Sequence, residues 1–393
     1  MLKNIDKYNF VTQRDYDTIA GKDWPAFVDF QQHLAVPAFV YDEIDQRLAV
    51  SVPFDHPSFC VLPFYGREYP QDLSCCLLPI KHDLTKIKTD MLNGTRPEEC
   101  AKCWNLEDRG IRSDRQLKNE TIDFYFDKNI KDLFEDCKEG KYSVSHYKID
   151  TSNTCNATCV TCGSDASSAW SRLLRKNKQS YQRNWQILPN KIDQKIDYKT
   201  AKLINFRGGE PLLSKTNFYM LEQLIKVGNT NCFISFQTNG SITPTPDQAI
   251  ILSHFKNLNF SFSIDGIRSV FEYLRYPLKW ADLEKNIAWC QQRNIMVSAS
   301  YTISNLNVFY HQQTLAWFSE NNIVYQINPV YEPSWFRPGA LPRSVKDQIV
   351  FDFIEHNEDE KNYVIFREKI AKQDSWKGTC LKNYLPELAN LLG

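Results

Sequence analysis

Between about residues 145 and 330, short β-forming segments alternate with stretches of helix length, and this alternation constrains the fold most strongly. The predicted strands are residues 147–151, 203–207, 233–238, 260–264, 297–302 and 324–328. Helical patterns lie between them, for example at 218–227, 280–293 and 310–321. Strands that alternate with helices predict a parallel sheet with right-handed crossovers. A complete barrel has eight such units, so six strands predict an α/β fold with a partial (β/α)6, TIM-like barrel.

The chain divides into four predicted regions around this alternation. Residues 1–57 form a mixed polar and aromatic segment of unknown role, with short helices predicted at 24–34 and 41–48. Residues 58–144 are cysteine-rich and then charged, and residues 145–335 form the partial barrel. Residues 336–393 form a polar, helical C-terminal extension, which is predicted to cover the core.

The composition indicates a globular protein without a strong global charge. Hydrophobic residues make up 42% and aromatic residues 13% of the 393 residues, enough for a large core. Lys and Arg balance Asp and Glu at 47 each, so no broad basic surface for nucleic acid or membrane is expected. No membrane-spanning apolar run or signal peptide is apparent. The expected location is cytoplasmic, where twelve cysteines favour metal binding over disulfides.

Three cysteines follow the first predicted strand with C-x3-C-x2-C spacing: Cys155, Cys159 and Cys162. Thiolates are soft ligands that suit iron–sulfur clusters and zinc. Three protein thiolates on a [4Fe–4S] cluster leave one iron open for a small molecule, just as a catalytic zinc site keeps an unfilled position. The alternative is a structural zinc site whose fourth ligand is His146 or Cys137.

A glycine-rich element follows the second predicted strand and comprises Gly208, Gly209, Glu210 and Pro211. Glycine has no Cβ, so the backbone here can approach a ligand closely. Gly and Pro also mark ordinary strand-to-helix turns. This GGEP element lies one βα unit after the three cysteines, and functional groups gather at the carboxyl ends of parallel strands. The two motifs are therefore expected to act together.

Together, the cysteine spacing and the GGEP element resemble those of the radical S-adenosylmethionine (SAM) superfamily. The resemblance implies that Cys155, Cys159 and Cys162 hold a catalytic [4Fe–4S] cluster whose open iron chelates the methionine part of SAM. It also implies reductive cleavage of SAM to a 5′-deoxyadenosyl radical, which abstracts hydrogen from a substrate. In the family the GGEP loop meets the methionine amino group, so residues 208–211 are implied cofactor contacts.

Polar residues after the later predicted strands agree with this resemblance. Arg275 matches an arginine that pairs with the methionine carboxylate in relatives with auxiliary clusters, a task that suits the guanidinium fork. Asn305 fits the family's loop after the fifth strand, and Asn328 is expected near adenine. The implied cofactor-binding residues beyond the GGEP element are Thr238, Asn239, Ser263, Asp265, Arg275, Asn305 and Asn328.

A second group of cysteines precedes the barrel and comprises Cys60, Cys75, Cys76, Cys100 and Cys103. Two separated cysteines and a C-x2-C pair would saturate a [4Fe–4S] cluster, a [2Fe–2S] cluster or zinc, with Cys76 favoured over Cys75. The patch resembles the SPASM domain, or its shorter form twitch, which implies an auxiliary iron–sulfur cluster. In better-known relatives this domain follows the barrel, whereas here the patch precedes it.

The remaining features add no second chemistry. Cys232, Cys290 and Cys380 are isolated, and packing is predicted for them, although Cys380 could also reach the active site from the tail. The histidines are scattered, and no HExxH pattern, nucleophile elbow or P-loop is present.

The predicted function is that of a radical SAM enzyme with an unknown substrate. Relatives with auxiliary clusters often modify peptides or proteins, so a polypeptide is the first expectation and a small metabolite or carbohydrate the second. An electron donor such as a flavodoxin or ferredoxin is the implied partner. Two alternatives stay open: a non-catalytic zinc-binding scaffold, and a degenerate enzyme that binds SAM without turnover.

Overall fold

The computed structural model describes residues 54, 56–70, 83–108, 113–122, 125–126, 128–330, 333–349 and 360–393. The helices predicted at 24–34 and 41–48 lie outside these residues, as do Cys75 and Cys76. None of the described helices is long and apolar enough to cross a membrane.

One sheet of seven parallel strands forms the centre of the described structure. The strands are β1 (Gly66–Tyr69), β2 (His146–Asp150), β3 (Leu203–Arg207), β4 (Phe233–Thr238), β5 (Leu258–Ser263), β6 (Met296–Ile303) and β7 (Val324–Pro329). Each strand pairs with its neighbours in the sequence, so the sheet order is the chain order. A doubly wound sheet reverses its order at a switch point, whereas a (β/α) barrel does not. The predicted partial barrel is therefore confirmed.

The sheet has one strand more than the six predicted, which correspond to β2 through β7. The additional strand β1 has the sequence GREY and lies within the predicted cysteine-rich region. It pairs with β2 from Gly66 opposite His146 to Tyr69 opposite Ile149. Gly and Glu have little strand preference. We infer that β1 forms because β2 offers a pairing partner far away in the sequence.

The described α-helices lie between the strands and in the described parts of the two flanking regions. They are α1 (Leu62–Tyr65), α2 (Leu84–Leu92), α3 (Ala101–Glu107), α4 (Asp114–Thr121), α5 (Ile130–Lys138), α6 (Ser168–Lys176), α7 (Pro189–Ile192), α8 (Lys215–Lys226), α9 (Pro246–Leu252), α10 (Ser269–Leu274), α11 (Trp280–Gln291), α12 (His311–Glu320), α13 (Arg343–Lys346), α14 (Glu360–Lys377), α15 (Leu381–Tyr384) and α16 (Pro386–Leu392). The predicted helices at 218–227, 280–293 and 310–321 correspond to α8, α11 and α12.

The two faces of the sheet differ in polarity, because successive side chains of a strand point to opposite faces. On one face Phe206, Phe236 and Phe260 are buried side by side, with neighbouring ring centroids 5.0 and 5.3 Å apart. Helices α8 and α11 contribute to the same hydrophobic cluster. The other, polar face carries Lys148, Asn205, Ser235, Gln237, Asn259, Ser298, Ser300, Gln326 and Asn328. Helix packing therefore covers the apolar face.

Aromatic residues close the amino-terminal end of the polar face. The ring of Tyr125 lies 5.3 Å from that of His146 and 5.4 Å from that of Phe233, and Phe126 lies 5.0 Å from His146. His146 begins β2 and Phe233 begins β4, so both lie at the amino-terminal end of the sheet, away from the carboxyl ends of the strands. Burial lowers the pKa of His146 to about 3, so its imidazole is neutral at physiological pH.

A second hydrophobic cluster lies in the region before β2. It includes the buried cysteines Cys60, Cys100, Cys103 and Cys137. Arg115 stabilises this region through a bidentate contact with Glu107, with N–O distances of 2.9 and 2.6 Å, and donates to the Phe59 carbonyl at 2.8 Å. The fold thus collects three of the predicted auxiliary ligands in one buried region.

The C-terminal helices α14 to α16 pack against the barrel. Phe366 in α14 and Leu388 in α16 are fully buried in the main hydrophobic cluster. The Tyr310 hydroxyl, which precedes α12, donates to the Glu387 carboxylate at 2.9 Å. This arrangement confirms the predicted helical extension over the core.

Candidate cofactor site at the carboxyl ends of the strands

The three motif cysteines lie on the loop that connects β2 to α6, at the carboxyl end of the sheet. Backbone hydrogen bonds fix this cysteine loop against the end of α10. The Thr158 N–H donates to the Tyr276 carbonyl at 2.7 Å, and the Val160 N–H donates to the Leu274 carbonyl at 2.7 Å. Backbone hydrogen bonds therefore fix the residues on either side of Cys159.

The thiols of Cys155, Cys159 and Cys162 share one electrostatic environment. Burial raises the pKa of Cys155 to about 11 and that of Cys162 to about 12, and it raises the pKa of Cys159 as well. The charge of the Cys159 thiolate adds to the increase at both other cysteines. Three neighbouring soft donors fit a cluster with one open iron. Because the bound ligands are thiolates, loading this site would release protons.

The structure separates the motif from the proposed fourth ligands of a zinc site. His146 begins β2 and the motif follows its end, so roughly 15 Å of strand lies between them. Cys137 lies in the second hydrophobic cluster, with its Sγ 3.8 Å from the Tyr65 hydroxyl. Within the part of the chain that the structure describes, no three His, Cys, Asp or Glu side chains, the motif cysteines included, lie close enough together to hold a single metal ion.

The GGEP element packs directly against the cysteine loop. A Cβ on Gly209 would lie 2.3 Å from the carbonyl oxygen of Thr154, and one on Gly208 would lie 2.6 Å from that of Ser152. The Gly209 N–H donates to the Ser152 carbonyl at 3.0 Å, and the Glu210 N–H donates to that of Thr154 at 2.7 Å. The close approach that these glycines permit is therefore to the backbone of the cysteine loop.

Glu210 joins the end of β3 to the end of β4. Its carboxylate is 1% exposed and accepts from the Thr238 hydroxyl at 2.9 Å, the Asn239 N–H at 2.8 Å and the Leu212 N–H at 3.1 Å. Burial raises the pKa of Glu210 to about 7, although these three donors oppose the shift. The structure thus brings together Glu210, Thr238 and Asn239, which were all predicted to bind the cofactor. The Glu210 carboxylate is hydrogen-bonded to donors of the protein.

Asn239 connects the end of β4 to the cysteine loop. Its Nδ2 donates to Asn156 Oδ1 at 2.8 Å and lies 3.9 Å from Cys155 Sγ. Its Oδ1 accepts from the N–H and the hydroxyl of Ser241 at 2.9 and 2.6 Å. Asn156 also donates to Ser241 Oγ at 2.8 Å. These three side chains form a closed set of hydrogen bonds beside the first cysteine.

A buried ion pair joins the two predicted charged residues. Arg275 NH2 lies 2.8 Å from Asp265 Oδ2, and the two side chains are 12% and 5% exposed. The Thr302 N–H donates to Asp265 Oδ1 at 3.0 Å, and Arg275 NH1 lies 3.9 Å from Cys159 Sγ. Burial opposes the charge of Arg275, but the Asp265 carboxylate and the Cys159 thiolate outweigh it and raise the pKa of the guanidinium. The charged guanidinium of Arg275 is therefore fixed beside Cys159.

Three buried polar atoms at this end of the sheet have no hydrogen-bond partner among the described residues: Arg275 Nε, Asn305 Oδ1 and Trp335 Nε1. Asn305 is fully buried and donates through Nδ2 to the Trp335 carbonyl at 2.9 Å. A buried polar atom without a partner costs about 1–3 kcal/mol. These atoms therefore suit a polar ligand that supplies the missing donors and acceptors. Trp335 was missed in the sequence, where it carries no motif.

The last two predicted residues lie on the polar face of the sheet. Asn328 is half-buried on β7 and donates through Nδ2 to Ser300 Oγ at 3.1 Å. Ser263 ends β5 and is also half-buried, opposite Ser300 of β6. Neither residue has a described hydrogen bond to the cysteine loop.

The isolated cysteines have different surroundings. Cys232 and Cys290 are each 1% exposed, which confirms the predicted packing. The packing prediction for Cys380 is wrong, because its side chain is exposed immediately before α15. It is the extended N-cap residue of α15, and local sequence did not indicate its exposure.

Helix α14 supplies contacts to the cysteine loop that the sequence did not reveal. Gln373 Nε2 donates to the Val160 carbonyl at 3.1 Å, across 213 positions in the sequence. Lys377 Nζ lies 4.8 Å from the ring centroid of Trp170, whose Nε1 donates to the Cys159 carbonyl at 2.9 Å. No local pattern signals a contact over this sequence distance.

Comparison with known proteins gives distant similarities. No protein-family model matches the chain. The uncharacterized protein MJ0907 of Methanocaldococcus jannaschii is 26% identical over 182 residues, which cover 43% of this chain and 57% of that protein. Native anSMEcpe with bound AdoMet is 18% identical, with a TM-score of 0.38, over 60% of this chain and 62% of its own. Streptococcus suis SuiB bound to precursor peptide SuiA is 13% identical, with a TM-score of 0.38, over 79% of this chain and 69% of its own.

Proposed function

We propose that the chain is a radical SAM enzyme that holds a [4Fe–4S] cluster at Cys155, Cys159 and Cys162 and binds SAM beside it. Reductive cleavage of SAM to methionine and a 5′-deoxyadenosyl radical is the chemistry that such a cluster supplies when bound. The observation that carries the proposal is the convergence of the cysteine loop, the GGEP element and Arg275 at one end of the sheet. A structural zinc site gives no reason for a buried arginine beside a thiol.

The residues of the chain would then bind and orient SAM. The guanidinium of Arg275 would bind a carboxylate, because Asp265 fixes its orientation and Nε is left for a further acceptor. Asn305 Oδ1 and Trp335 Nε1 would pair with a donor and an acceptor of the bound molecule. The backbone of residues 208–211 would face the amino group of SAM, and Thr238, Asn239, Ser263 and Asn328 would border the remaining surface.

The substrate is proposed to be polar, with a polypeptide as the first class to test. On the polar face, Asn259 Nδ2 donates to Ser235 Oγ at 3.2 Å and Asn328 Nδ2 donates to Ser300 Oγ at 3.1 Å. Such amide and hydroxyl groups suit a peptide backbone and also the hydroxyls of a carbohydrate, the second class. Tyr125 and Phe126 close the amino-terminal end of this face, so the substrate would enter where SAM binds.

An auxiliary cluster is proposed in the region before β2. Cys60, Cys100 and Cys103 are buried in one hydrophobic cluster, and the fourth ligand would be Cys76 or its neighbour Cys75, which lie outside the described residues. A [4Fe–4S] or [2Fe–2S] cluster there would relay an electron from a flavodoxin or ferredoxin, or contact the substrate. Zinc at the same thiolates is the alternative.

Metal analysis after anaerobic reconstitution tests this assignment. We expect about eight irons per chain if both sites hold [4Fe–4S] clusters, and about four in a Cys155→Ala/Cys159→Ala/Cys162→Ala variant. The same loss is expected when Cys60, Cys100 and Cys103 are replaced together. Cys290→Ala is the matched control, because its buried thiol belongs to neither site, and its iron content should equal that of the wild type.

Two outcomes would change the proposal in different ways. About four irons and one zinc would retain the catalytic cluster and make the N-terminal site structural. Two zincs that resist iron reconstitution, with no change in iron content on replacing the motif cysteines, would contradict the enzyme and leave a zinc-binding scaffold.

A further inference from the structure

Lys377, the last residue of α14, is a buried cation without an ion pair to a carboxylate in the described part of the chain. It is 8% exposed, and its Nζ donates to Gln373 Oε1 at 2.7 Å. Lysine is rarely this buried unless it is paired. Burial lowers the pKa of Lys377 to about 8, so the ammonium remains charged at neutral pH. Removing this ammonium from water has a desolvation cost, so the groups around it decide what the charge does.

The surroundings of Lys377 place it beside the cysteine loop. Its Nζ lies 4.8 Å from the ring centroid of Trp170, a cation–π distance. Trp170 in turn donates to the Cys159 carbonyl at 2.9 Å. The thiolate charges of Cys159 and Cys162 each raise the pKa of Lys377, so both sulfurs are electrostatic neighbours of the ammonium. Gln373, which accepts from Lys377, also donates to the backbone of the loop.

Two other charged side chains near the loop already have partners. Arg275 is paired with Asp265 at 2.8 Å. Asp374, on the same helix, also raises the pKa of Lys377 but forms no ion pair with it, and its carboxylate accepts from the Thr379 hydroxyl at 2.6 Å and the Leu381 N–H at 2.9 Å. The negative end of the α14 dipole offsets the ammonium only in part, because it amounts to about half an elementary charge. Lys377 is therefore a cation beside the loop that no carboxylate of the described residues holds in an ion pair.

We propose that Lys377 raises the reduction potential of the cluster held by Cys155, Cys159 and Cys162 and so favours its reduced state. This inference rests on the proposed function. Reduction adds negative charge to a cluster, and a fixed cation stabilises that charge most where water is excluded. The potentials of iron–sulfur clusters respond to the net charge and solvent exposure around their sulfurs. Lys377 acts on the cluster through this charge.

The test is a potentiometric titration of the motif cluster, followed by its electron paramagnetic resonance signal. In the Lys377→Met variant we expect the equilibrium constant for reduction to fall about tenfold, which is a potential lower by about 59 mV for one electron. Lys377→Arg keeps the charge and should remain close to the wild type. Lys372→Met is the matched control, because Lys372 lies on the same helix with an exposed side chain. Its potential should be unchanged.

The readouts distinguish a tuning charge from a structural residue. A structural role would lower the midpoint of urea unfolding in Lys377→Met without moving the potential of the clusters that remain. An unchanged potential in a fully loaded Lys377→Met variant overturns this inference and leaves the proposed function intact. Wild-type protein that binds no iron at the motif cysteines overturns the proposed function itself.

Discussion

Replacement of Arg275 by methionine is expected to lower the free energy of unfolding by about 3–5 kcal/mol and to abolish measurable SAM binding. The loss of stability arises because the variant leaves the Asp265 carboxylate, whose side chain is 5% exposed, without its cationic partner. Only the Thr302 N–H remains as a described donor to this carboxylate. The loss of binding arises because the guanidinium would be the partner of the SAM carboxylate. Urea unfolding and equilibrium binding of SAM to the loaded protein measure the two effects.

A second replacement separates the two effects of Arg275. Asp265→Asn removes the unpaired charge but keeps an oxygen for the Thr302 N–H, so the Arg275→Met/Asp265→Asn variant should recover much of the lost stability. It should not recover SAM binding. If the double variant binds SAM like the wild type, Arg275 has only a structural role. Arg275→Lys keeps the charge without the fork, and we expect it to bind SAM weakly.

Replacement of Glu210 by alanine is expected to destabilise the protein by about 3–5 kcal/mol, because it leaves three donors without an acceptor. These donors are the Thr238 hydroxyl and the N–H groups of Asn239 and Leu212. Glu210→Gln keeps one oxygen acceptor but places an amide N–H donor against another donor. We therefore expect a loss of stability between those of the wild type and Glu210→Ala. Both variants should also loosen the contact between the GGEP element and the cysteine loop, which is measured as faster loss of iron.

The pH dependence of stability gives an independent check on Glu210. Its folded-state pKa is raised by burial from 4.5 to about 7, so the protonated carboxyl is the form that the fold favours. The associated stability is present below pH 4.5 and is lost as the pH rises through about 7, with a span of about 3 kcal/mol. The difference in unfolding free energy between wild type and Glu210→Gln should therefore shrink from pH 5 to pH 8. Glu222→Gln, at an exposed position of α8, is the control; an equal slope there would contradict the assignment.

Most of the barrel could be predicted because its strands are short β-forming segments separated by stretches of helix length. β3 and β4 have the predicted bounds, and the other predicted strands differ by one or two residues at their ends. β1 was missed because its residues Gly66, Arg67 and Glu68 carry no strand pattern. Its formation depends on pairing with β2, whose partner residues lie 80 positions later in the sequence. Local propensity does not contain this information.

Site residues that belong to a sequence motif could be predicted. Contacts between elements that are distant in the sequence could not. The spacing of Cys155, Cys159 and Cys162 identified the loop, but the sequence did not show that Glu210 is engaged by donors of β4. Lys377 reaches the loop through a helix more than 200 positions away, and no periodicity in α14 marks it. Side-chain hydrogen bonds between loops depend on tertiary packing, which a single sequence does not specify.

Formation of 5′-deoxyadenosine from SAM under dithionite tests the central claim most directly. The reconstituted wild-type protein is expected to form it, whereas the Cys155→Ala/Cys159→Ala/Cys162→Ala variant should form none. Cys290→Ala, which carries its replacement in a buried helix position away from the motif, should match the wild type. Wild-type protein that is loaded with iron and binds SAM but forms no 5′-deoxyadenosine would contradict catalysis. Equal formation by the triple variant would contradict the assignment of the cluster to these cysteines.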